Sequence, residues 1–197
     1  MNPCEAHVWR IPLDGSVVVP PPTPGELARA ARFRFDRQKN EYLRSHAALR
    51  AILGRLTSAR LDFAIAEAGK PYLPNIPSLK FNLSHTRGMA LVGAVLDIEI
   101  GVDVEYLRPL SDYAAMAERF FPPSEAAGIV DERDFFRRWT RVEAVLKARG
   151  VGIYAAGTEP VGEWTIVEID AGDAHAAAVA LPRPGVQIVV HDFGGER

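Results

Sequence analysis

The chain has 197 residues, of which 48% are hydrophobic and 24% are charged, which is ordinary for a globular protein and argues against disorder. Its formal net charge of −2 excludes the overall basic field of nucleic-acid-binding proteins. The single cysteine, Cys4, excludes a disulfide framework and a cysteine-rich zinc site. No signal peptide is visible, and the longest apolar run, 89–96, is too short to span a bilayer. We therefore expect a cytoplasmic protein without nucleic-acid or membrane partners.

The first elements are a strand and two helices. Residues 7–19 contain short apolar runs before three prolines and predict an edge strand. Thr23 precedes a proline and stands three residues before Glu26, which predicts a helix that starts with a capping box. A longer helix with an apolar core face is predicted from about Asp36.

Strand patterns dominate the middle of the chain. Alternation of apolar residues predicts strands at 61–65 and 79–85, and the run 89–96 predicts a buried strand. A further strand is predicted at 100–105. Helical sequence then occupies about 111–130, interrupted at Pro122 and Pro123.

A long amphipathic helix follows, at about 133–149. Its apolar residues fall at i, i+4, i+7 and i+11, which places them on one stripe: Phe135, Trp139, Val142 and Leu146. Basic residues in the last turn and Gly150 predict its end.

Three further strands are predicted at 164–169, 175–181 and 186–190. Both halves of the chain then show a long helix followed by strands. We therefore predict an α+β fold with two similar lobes, residues 1–99 and 100–197, each a long helix on a small antiparallel sheet. A ligand groove is expected where the lobes meet, and the duplication favours a monomer.

Three carboxylates are candidates for a metal site. Asp103 and Glu105 stand two residues apart on a strand, so both project from one face. Glu143 on the long helix can supply a third carboxylate, and oxygen ligands favour Mg²⁺ or Mn²⁺ over zinc. The alternatives are a solvated strand face and an ordinary ion pair between Glu143 and Lys147, which lie four residues apart.

Three polar residues lie at turns or strand ends. Ser84 lacks the G-x-S-x-G surroundings of a hydrolase nucleophile. The neighbouring His85 is either a ligand contact or a structural histidine. Lys70 in the Gly-Lys-Pro turn suits a phosphate contact, although single surface lysines are common. Neither a P-loop nor a dinucleotide-binding glycine motif is present.

Taken together, the motifs resemble one enzyme family. The segments GKPYLP, FNLSHTRG, IGVDVEYLRP, RFFPPSE and WTRVEAVLKARGVG occur in the order found in 4′-phosphopantetheinyl transferases of the surfactin-synthetase-activating type. The resemblance covers about Arg29 to Gly152. It implies two α+β lobes with the active site at their junction. It also implies transfer of phosphopantetheine from coenzyme A to a serine of an acyl or peptidyl carrier protein, with release of 3′,5′-ADP.

The resemblance implies a role for each candidate residue. Asp103, Glu105 and Glu143 correspond to the ligands of Mg²⁺, and Glu143 is also the favoured general base. Lys147 corresponds to the lysine that holds the pyrophosphate of coenzyme A and protonates the leaving side.

It further implies a set of coenzyme A contacts. His85 corresponds to a histidine near the phosphates, with Ser84 beside it, and Lys70 to a lysine near the nucleotide. Arg29 stands where the family places a basic residue on the 3′-phosphate, with Arg32 and Arg34 as close alternatives.

Two features concern substrate binding. Val142 stands where the family commonly has a lysine before the glutamate, which removes one cationic phosphate contact. The family's carrier proteins are acidic around their serine, and an arginine cluster with two phenylalanines is predicted either to bind them or to be an ordinary solvated face. The cluster comprises Arg119, Phe120, Phe121, Arg133, Arg137, Arg138 and Arg141. Two other functions fit the same residues: a Mg²⁺-dependent phosphodiesterase or pyrophosphatase and a non-catalytic carrier-binding protein.

Overall fold

The computed structural model describes residues 4–152 and 162–194. The helices of this part of the chain are α1 Pro24–Ala30, α2 Asp36–Leu56, α3 Tyr113–Phe120, α4 Pro123–Ala126 and α5 Glu132–Arg149. The strands are β1 Glu5–Pro12, β2 Ala64–Ile65, β3 Pro71–Tyr72, β4 Leu79–Thr86, β5 Met89–Leu96, β6 Gly101–Tyr106, β7 Thr165–Glu168, β8 His175–Leu181 and β9 Gln187–Asp192. No described helix combines the length and apolar character needed to cross a membrane. The fold is thus mixed α+β, as predicted.

Local sequence signals set the helix ends as expected. Thr23 accepts a hydrogen bond from the backbone of Glu26, whose side chain returns one to the Thr23 backbone, which confirms the capping box. The Asp131 side chain caps α5, and Gly150 ends it in the left-handed region with a φ of 66°. The helical sequence between 111 and 130 is divided before Pro123 as predicted.

The first sheet contains two departures from the predictions. Its strand order is β4-β5-β1-β9, so the predicted edge strand near the N-terminus lies inside the sheet. β9 pairs parallel to β1, and the sheet is therefore mixed rather than wholly antiparallel. The strand predicted at 61–65 shortens to Ala64–Ile65, paired with β3.

The second sheet has the order β6-β8-β7 and is antiparallel. The prediction that each lobe has its own antiparallel sheet was wrong for β9, which does not join the second sheet. Strand β9 pairs instead with β1, at the edge of the first sheet. Each sheet nevertheless carries a helix, α2 on the first and α5 on the second.

The core is arranged in layers. Side chains of α2 such as Leu49 and Ile52 pack with Trp9 and Phe81 on one face of the first sheet. The opposite face of that sheet and the inner face of the second sheet share another apolar cluster, which includes Val8 and Val179. The α5 helix packs on the outer face of the second sheet.

The two sheets meet edge to edge where β4 runs beside β6. Three β4 side chains at alternate positions accept hydrogen bonds from the backbone of β6. The pairs are Val102 N to Asn82 Oδ1 at 2.9 Å, Val104 N to Ser84 Oγ at 3.4 Å and Tyr106 N to Thr86 Oγ1 at 3.2 Å. Side chains therefore replace the backbone pairing that would otherwise join the strands, and the candidate site lies at this junction.

Candidate functional site

The site depends on a close approach between α5 and β6. A Cβ atom on Gly101 would lie 2.0 Å from the carbonyl oxygen of Ala144 and 2.4 Å from the amide nitrogen of Ala148. Ala178 and Ala180 of β8 are fully buried against the same helix. Because all these side chains are small or absent, the helix backbone rests almost directly on the strand. Polar side chains of α5 can therefore reach residues of β6.

Three predicted residues converge at this contact. The Lys147 ammonium donates to Asp103 Oδ1 at 2.5 Å and to Ser84 Oγ at 3.0 Å. Ser84 in turn donates to Asp103 Oδ1 at 2.9 Å. The triangle joins α5, β6 and β4, and Ser84 and Asp103 are both buried. A cation is thus held next to a buried carboxylate at the sheet junction.

Asp103 retains capacity for another ligand. Its Oδ2 atom is buried and has no hydrogen-bond partner in the described part of the chain. An unpartnered buried carboxylate oxygen fits a divalent cation, because such ions prefer oxygen ligands. Among residues 4–152 and 162–194, no three acidic, histidine or cysteine side chains converge as a metal-binding group. The ligand assignment of Asp103, Glu105 and Glu143 accordingly stays a prediction.

Glu105 and Glu143 share the electrostatic surroundings of Asp103. Burial raises the pKa of Glu105, and the negative charge of Asp103 raises it further. The pKa of Glu143 is raised by the same two causes in the same order. Arg108 lies 3.5 Å from the Glu105 carboxylate, although the arginine side chain is half exposed. A cation is the natural partner for such a group of carboxylates.

His85 lies on the opposite face of β4 from Ser84. Its ring stands 6.4 Å from that of His46 on α2, and the His46 ring packs at a tilt of 39° against Tyr42, with the ring centroids 4.0 Å apart. Part of the His85 side chain is exposed, yet the protein packed around its ring lowers its pKa, and Lys147 lowers it further. Ser84 and His85 therefore serve different clusters, although they are adjacent in sequence.

Beside His85 lies an open cavity of about 570 Å³, within the size range of small-molecule sites. Its lining combines aromatic, polar and charged side chains from α2, from the ends of β4 and β6, and from the loops next to these elements. The lining residues are Phe33, Arg37, Gln38, Glu41, His85, Thr86, Arg87, Tyr106 and Arg108. Arg37, Arg87 and Arg108 are not among the residues predicted to bind a ligand. Only the fold brings these residues to one cavity.

Among the described residues, neither Arg29 nor Lys70 forms a hydrogen bond or ion pair with Asp103 or Lys147. Arg29 is exposed on α1, and its charge acts on Tyr42 and His46. It thus belongs to the His46 side of the molecule. The Lys70 ammonium is engaged by Glu99 Oε2 at 2.7 Å, the Ile100 carbonyl at 3.1 Å and the Ala148 carbonyl at 3.3 Å.

Val142 packs as part of an apolar cluster. It is partly buried with Trp139 against Phe135 and Phe121. The apolar stripe predicted for α5 is confirmed at Phe135 and Leu146, which are buried. Val142 therefore fills space in the helix packing.

The arginine cluster divides by its contacts. Arg137 forms an ion pair with Glu168 at 2.7 Å, and Arg133 donates to the Asp173 carbonyl at 2.8 Å. Arg141 is exposed and has no hydrogen-bond or ion-pair partner among the residues that the structure describes. Phe121 is buried, which assigns it to the core rather than to a surface.

The remaining members of the cluster lie on α3 or contact the loop after α4. Arg119 stands over the ring of Phe120, 5.1 Å from its centroid. That ring meets Trp139 edge to face, with the centroids 5.2 Å apart. Arg138 donates to the Gly128 carbonyl at 3.4 Å.

The chain is similar to one family of enzymes. Residues 99–189 match the sequence profile of the 4′-phosphopantetheinyl transferase superfamily. The chain is 36% identical to the 4′-phosphopantetheinyl transferase HetI of Nostoc sp., over 93% of this chain and 90% of the relative. It is 29% identical to a putative 4′-phosphopantetheinyl transferase of Synechocystis sp., over 87% and 77%. The identity with the transferase Sfp of Bacillus subtilis is 28%, over 66% and 61%.

Proposed function

Because this chain belongs to the 4′-phosphopantetheinyl transferase superfamily and is an enzyme of that class, we propose that coenzyme A is its donor. The acceptor is a serine of an acyl or peptidyl carrier protein, and 3′,5′-ADP is released. The observation that carries the proposal is the convergence of Ser84, Asp103 and Lys147 from three elements. It supplies a fixed cation and a buried carboxylate, which suit transfer of an anionic group.

The reaction breaks the phosphoanhydride bond of coenzyme A and forms a phosphoester bond to the carrier serine. The serine oxygen of the carrier attacks the phosphorus that bears pantetheine, and the bond from that phosphorus to the bridging oxygen breaks. We assign Glu143 as the base that accepts the serine proton. Lys147 neutralises charge on the pyrophosphate and donates a proton or hydrogen bond to the leaving oxygen.

Asp103, Glu105 and Glu143 would hold Mg²⁺, with Mn²⁺ as a substitute. The unpartnered Oδ2 of Asp103 and the raised pKa values of Glu105 and Glu143 support this assignment. The bound ion would neutralise the negative charge that develops on the pyrophosphate. Lys147 contacts one oxygen of Asp103 and leaves the other available.

Further contacts to coenzyme A are proposed on the His85 side. The cavity beside His85 has cationic side chains on its wall, which suit phosphate groups. We assign His85 to the phosphates and Arg29 to the 3′-phosphate, while Ser84 would contact the phosphates from the opposite face of β4, beside Lys147. The exposed position of Arg29 leaves its guanidinium accessible to a ligand.

We also propose that the enzyme is monomeric and cytoplasmic. Its two lobes would comprise residues 1–99 and 100–197, with the active site at their junction. The edge contact between β4 and β6 supports a site at this boundary. The parallel pairing of β9 with β1 means that the second lobe would contribute one strand to the sheet of the first.

The test is intact-mass measurement of an apo carrier protein after incubation with the enzyme, coenzyme A and Mg²⁺. We expect a mass gain of one phosphopantetheine, abolished by EDTA and by Glu143→Gln. Several carriers from fatty-acid, polyketide and nonribosomal-peptide systems should be tried. The Arg60→Gln variant is a matched control, because Arg60 pairs with Asp62 on the surface away from the site.

Different failures point to different functions. A folded protein that binds carriers without modifying any of them would be a non-catalytic binder. Cleavage of phosphate esters without any acceptor would indicate a phosphodiesterase or pyrophosphatase. Transfer that persists in Glu143→Gln would overturn the assignment of the base.

A further inference from the structure

The Lys70 ammonium is fully occupied by contacts within the protein. Its side chain is only 14% exposed, and its ammonium contacts one carboxylate and two backbone carbonyls. An ammonium has three N–H donors, and the structure provides three acceptors. No donor is left over for a substrate phosphate.

One of these contacts contributes to the C-terminal cap of α5. The last carbonyls of a helix lack partners within it. At this end the Gly150 amide donates to the Leu146 and Lys147 carbonyls, and the Val151 amide donates to Leu146 as well. The next carbonyl, that of Ala148, accepts from Lys70 at 3.3 Å. A cation at this end also interacts favourably with the helix dipole.

Two other contacts tie the same ammonium to the entrance of β6. Ile100, whose carbonyl accepts from Lys70, directly precedes Gly101, where the strand and α5 are closest. Glu99 contacts Lys70 and is also 3.1 Å from Lys80. Burial would raise the pKa of Glu99, but the hydrogen bonds from these two lysines lower it.

We propose that Lys70 is a positioning residue that fixes the last turn of α5 against the start of β6, and thereby sets the distance between Lys147 and Asp103. Ala148 is next to Lys147 in the chain, and Ile100 lies three residues before Asp103. This inference rests on the proposed function, because it assigns a role in that reaction.

The two roles of Lys70 predict different kinetics. Loss of a positioning residue disturbs the reacting geometry, so Lys70→Met should lower kcat about tenfold or more and change the KM for coenzyme A less than about twofold. Loss of a phosphate ligand would instead raise KM for coenzyme A. Calorimetric titration of coenzyme A should give the same contrast in binding affinity, with unchanged affinity expected.

Glu99→Gln separates the roles more sharply, because it leaves the lysine in place. A positioning role predicts that Glu99→Gln lowers kcat in the same direction as Lys70→Met. A ligand role predicts tighter coenzyme A binding, since the competing carboxylate is gone. Lys80→Met is the matched control, because Lys80 pairs with Glu99 and, among the described residues, forms no hydrogen bond or ion pair with α5. The kcat of this variant should stay within about twofold of the parent protein.

Transfer by the unsubstituted enzyme is measured first. If it transfers nothing to any carrier, the proposed function fails. If it is active and Lys70→Met raises only KM, or alters neither constant, the positioning role alone is overturned. Thermal melting of each variant verifies folding, and Glu99→Gln decides the matter if Lys70→Met does not fold.

Discussion

The two long helices pack on their sheets in different ways. α2 contacts the first sheet through large side chains such as Leu49, Ile52 and Leu53, which meet Phe81 and Trp9. α5 contacts the second sheet through alanines and Gly101, so that backbone meets backbone. Large side chains hold a helix away from its sheet, whereas small ones let it approach.

The α2 contact therefore serves mainly the stability of the fold, and the α5 contact serves mainly the geometry of the candidate site. The α2 contact buries extensive apolar area and contributes mostly to the free energy of folding. The α5 contact buries less per residue but brings Lys147 to Asp103 at 2.5 Å. The shorter helix-to-sheet spacing is thus the feature that lets side chains from both elements share one site.

The strongest way to break the α5 contact is Gly101→Ala. The added Cβ would lie 2.0 Å from the Ala144 carbonyl oxygen, so the helix must move away from the strand. A displacement of about 1 Å at a reacting group can lower activity about 100-fold. We therefore expect kcat for carrier modification to fall by about that factor, measured by intact mass.

Ile52→Ala is the complementary control on α2. Removing this buried side chain should lower the free energy of unfolding by about 2–5 kcal/mol. Activity measured well below the melting temperature should change little. If Ile52→Ala reduces kcat as much as Gly101→Ala does, the proposed separation of the two helices is incorrect.

Local features of this fold were predictable from sequence, because their causes lie within a few residues. The capping box joins Thr23 and Glu26, and the end of α5 follows from Gly150. The pair Asp103 and Glu105 was placed on a strand by alternation alone. Such signals need no knowledge of tertiary contacts.

Long-range features were not predictable. Lys70 contacts Ala148 at a separation of 78 residues, and nothing in the Gly-Lys-Pro turn indicates this partner. The exchange of β9 into the first sheet also depends on pairing with β1, far away in the chain. Gly101 reads as an ordinary strand glycine until α5 is seen to rest on it.

His46 on α2 should make the stability of the protein depend on pH. Burial lowers the pKa of His46 to about 4, while repulsion from His85 and Arg29 favours the neutral ring further, against opposing contributions from the Tyr42 carbonyl and Glu26. Because the unfolded chain binds a proton more readily, the stabilisation is complete above about pH 6.5 and is lost as the pH falls toward 4. Between pH 7 and 5 this residue should remove about 2 kcal/mol of the free energy of unfolding.

Urea unfolding of the parent protein and His46→Asn at both pH values measures this contribution. The variant should lose about 2 kcal/mol less than the parent protein over the interval. Comparing the two proteins cancels the titration of the groups that His46 does not influence. An equal loss in both would mean that His46 keeps an ordinary pKa in the folded state.

The smallest expected effect concerns the outer face of α5, where the arginines differ in their partners. Arg141 is exposed and has no partner in the described part of the chain, whereas Arg137 pairs with Glu168 at 2.7 Å. If an acidic carrier binds this face, Arg141→Gln should raise the carrier KM about threefold at low salt, with kcat unchanged. The increase in KM should shrink in 0.5 M NaCl, where the Debye length is only about 4 Å and the attraction between exposed charges is largely screened.

The double variant Arg137→Gln, Glu168→Gln provides the matched comparison, because it removes one cation and one anion together. Net charge stays the same, so the long-range attraction of an acidic carrier is preserved. Its carrier KM should remain within about 1.5-fold of the parent value, since an exposed ion pair contributes little. Equal increases in carrier KM for both variants would mean that the ion pair of Arg137 and Glu168 also lies in the interface. An unchanged KM for Arg141→Gln would mean that the carrier binds another face of the enzyme.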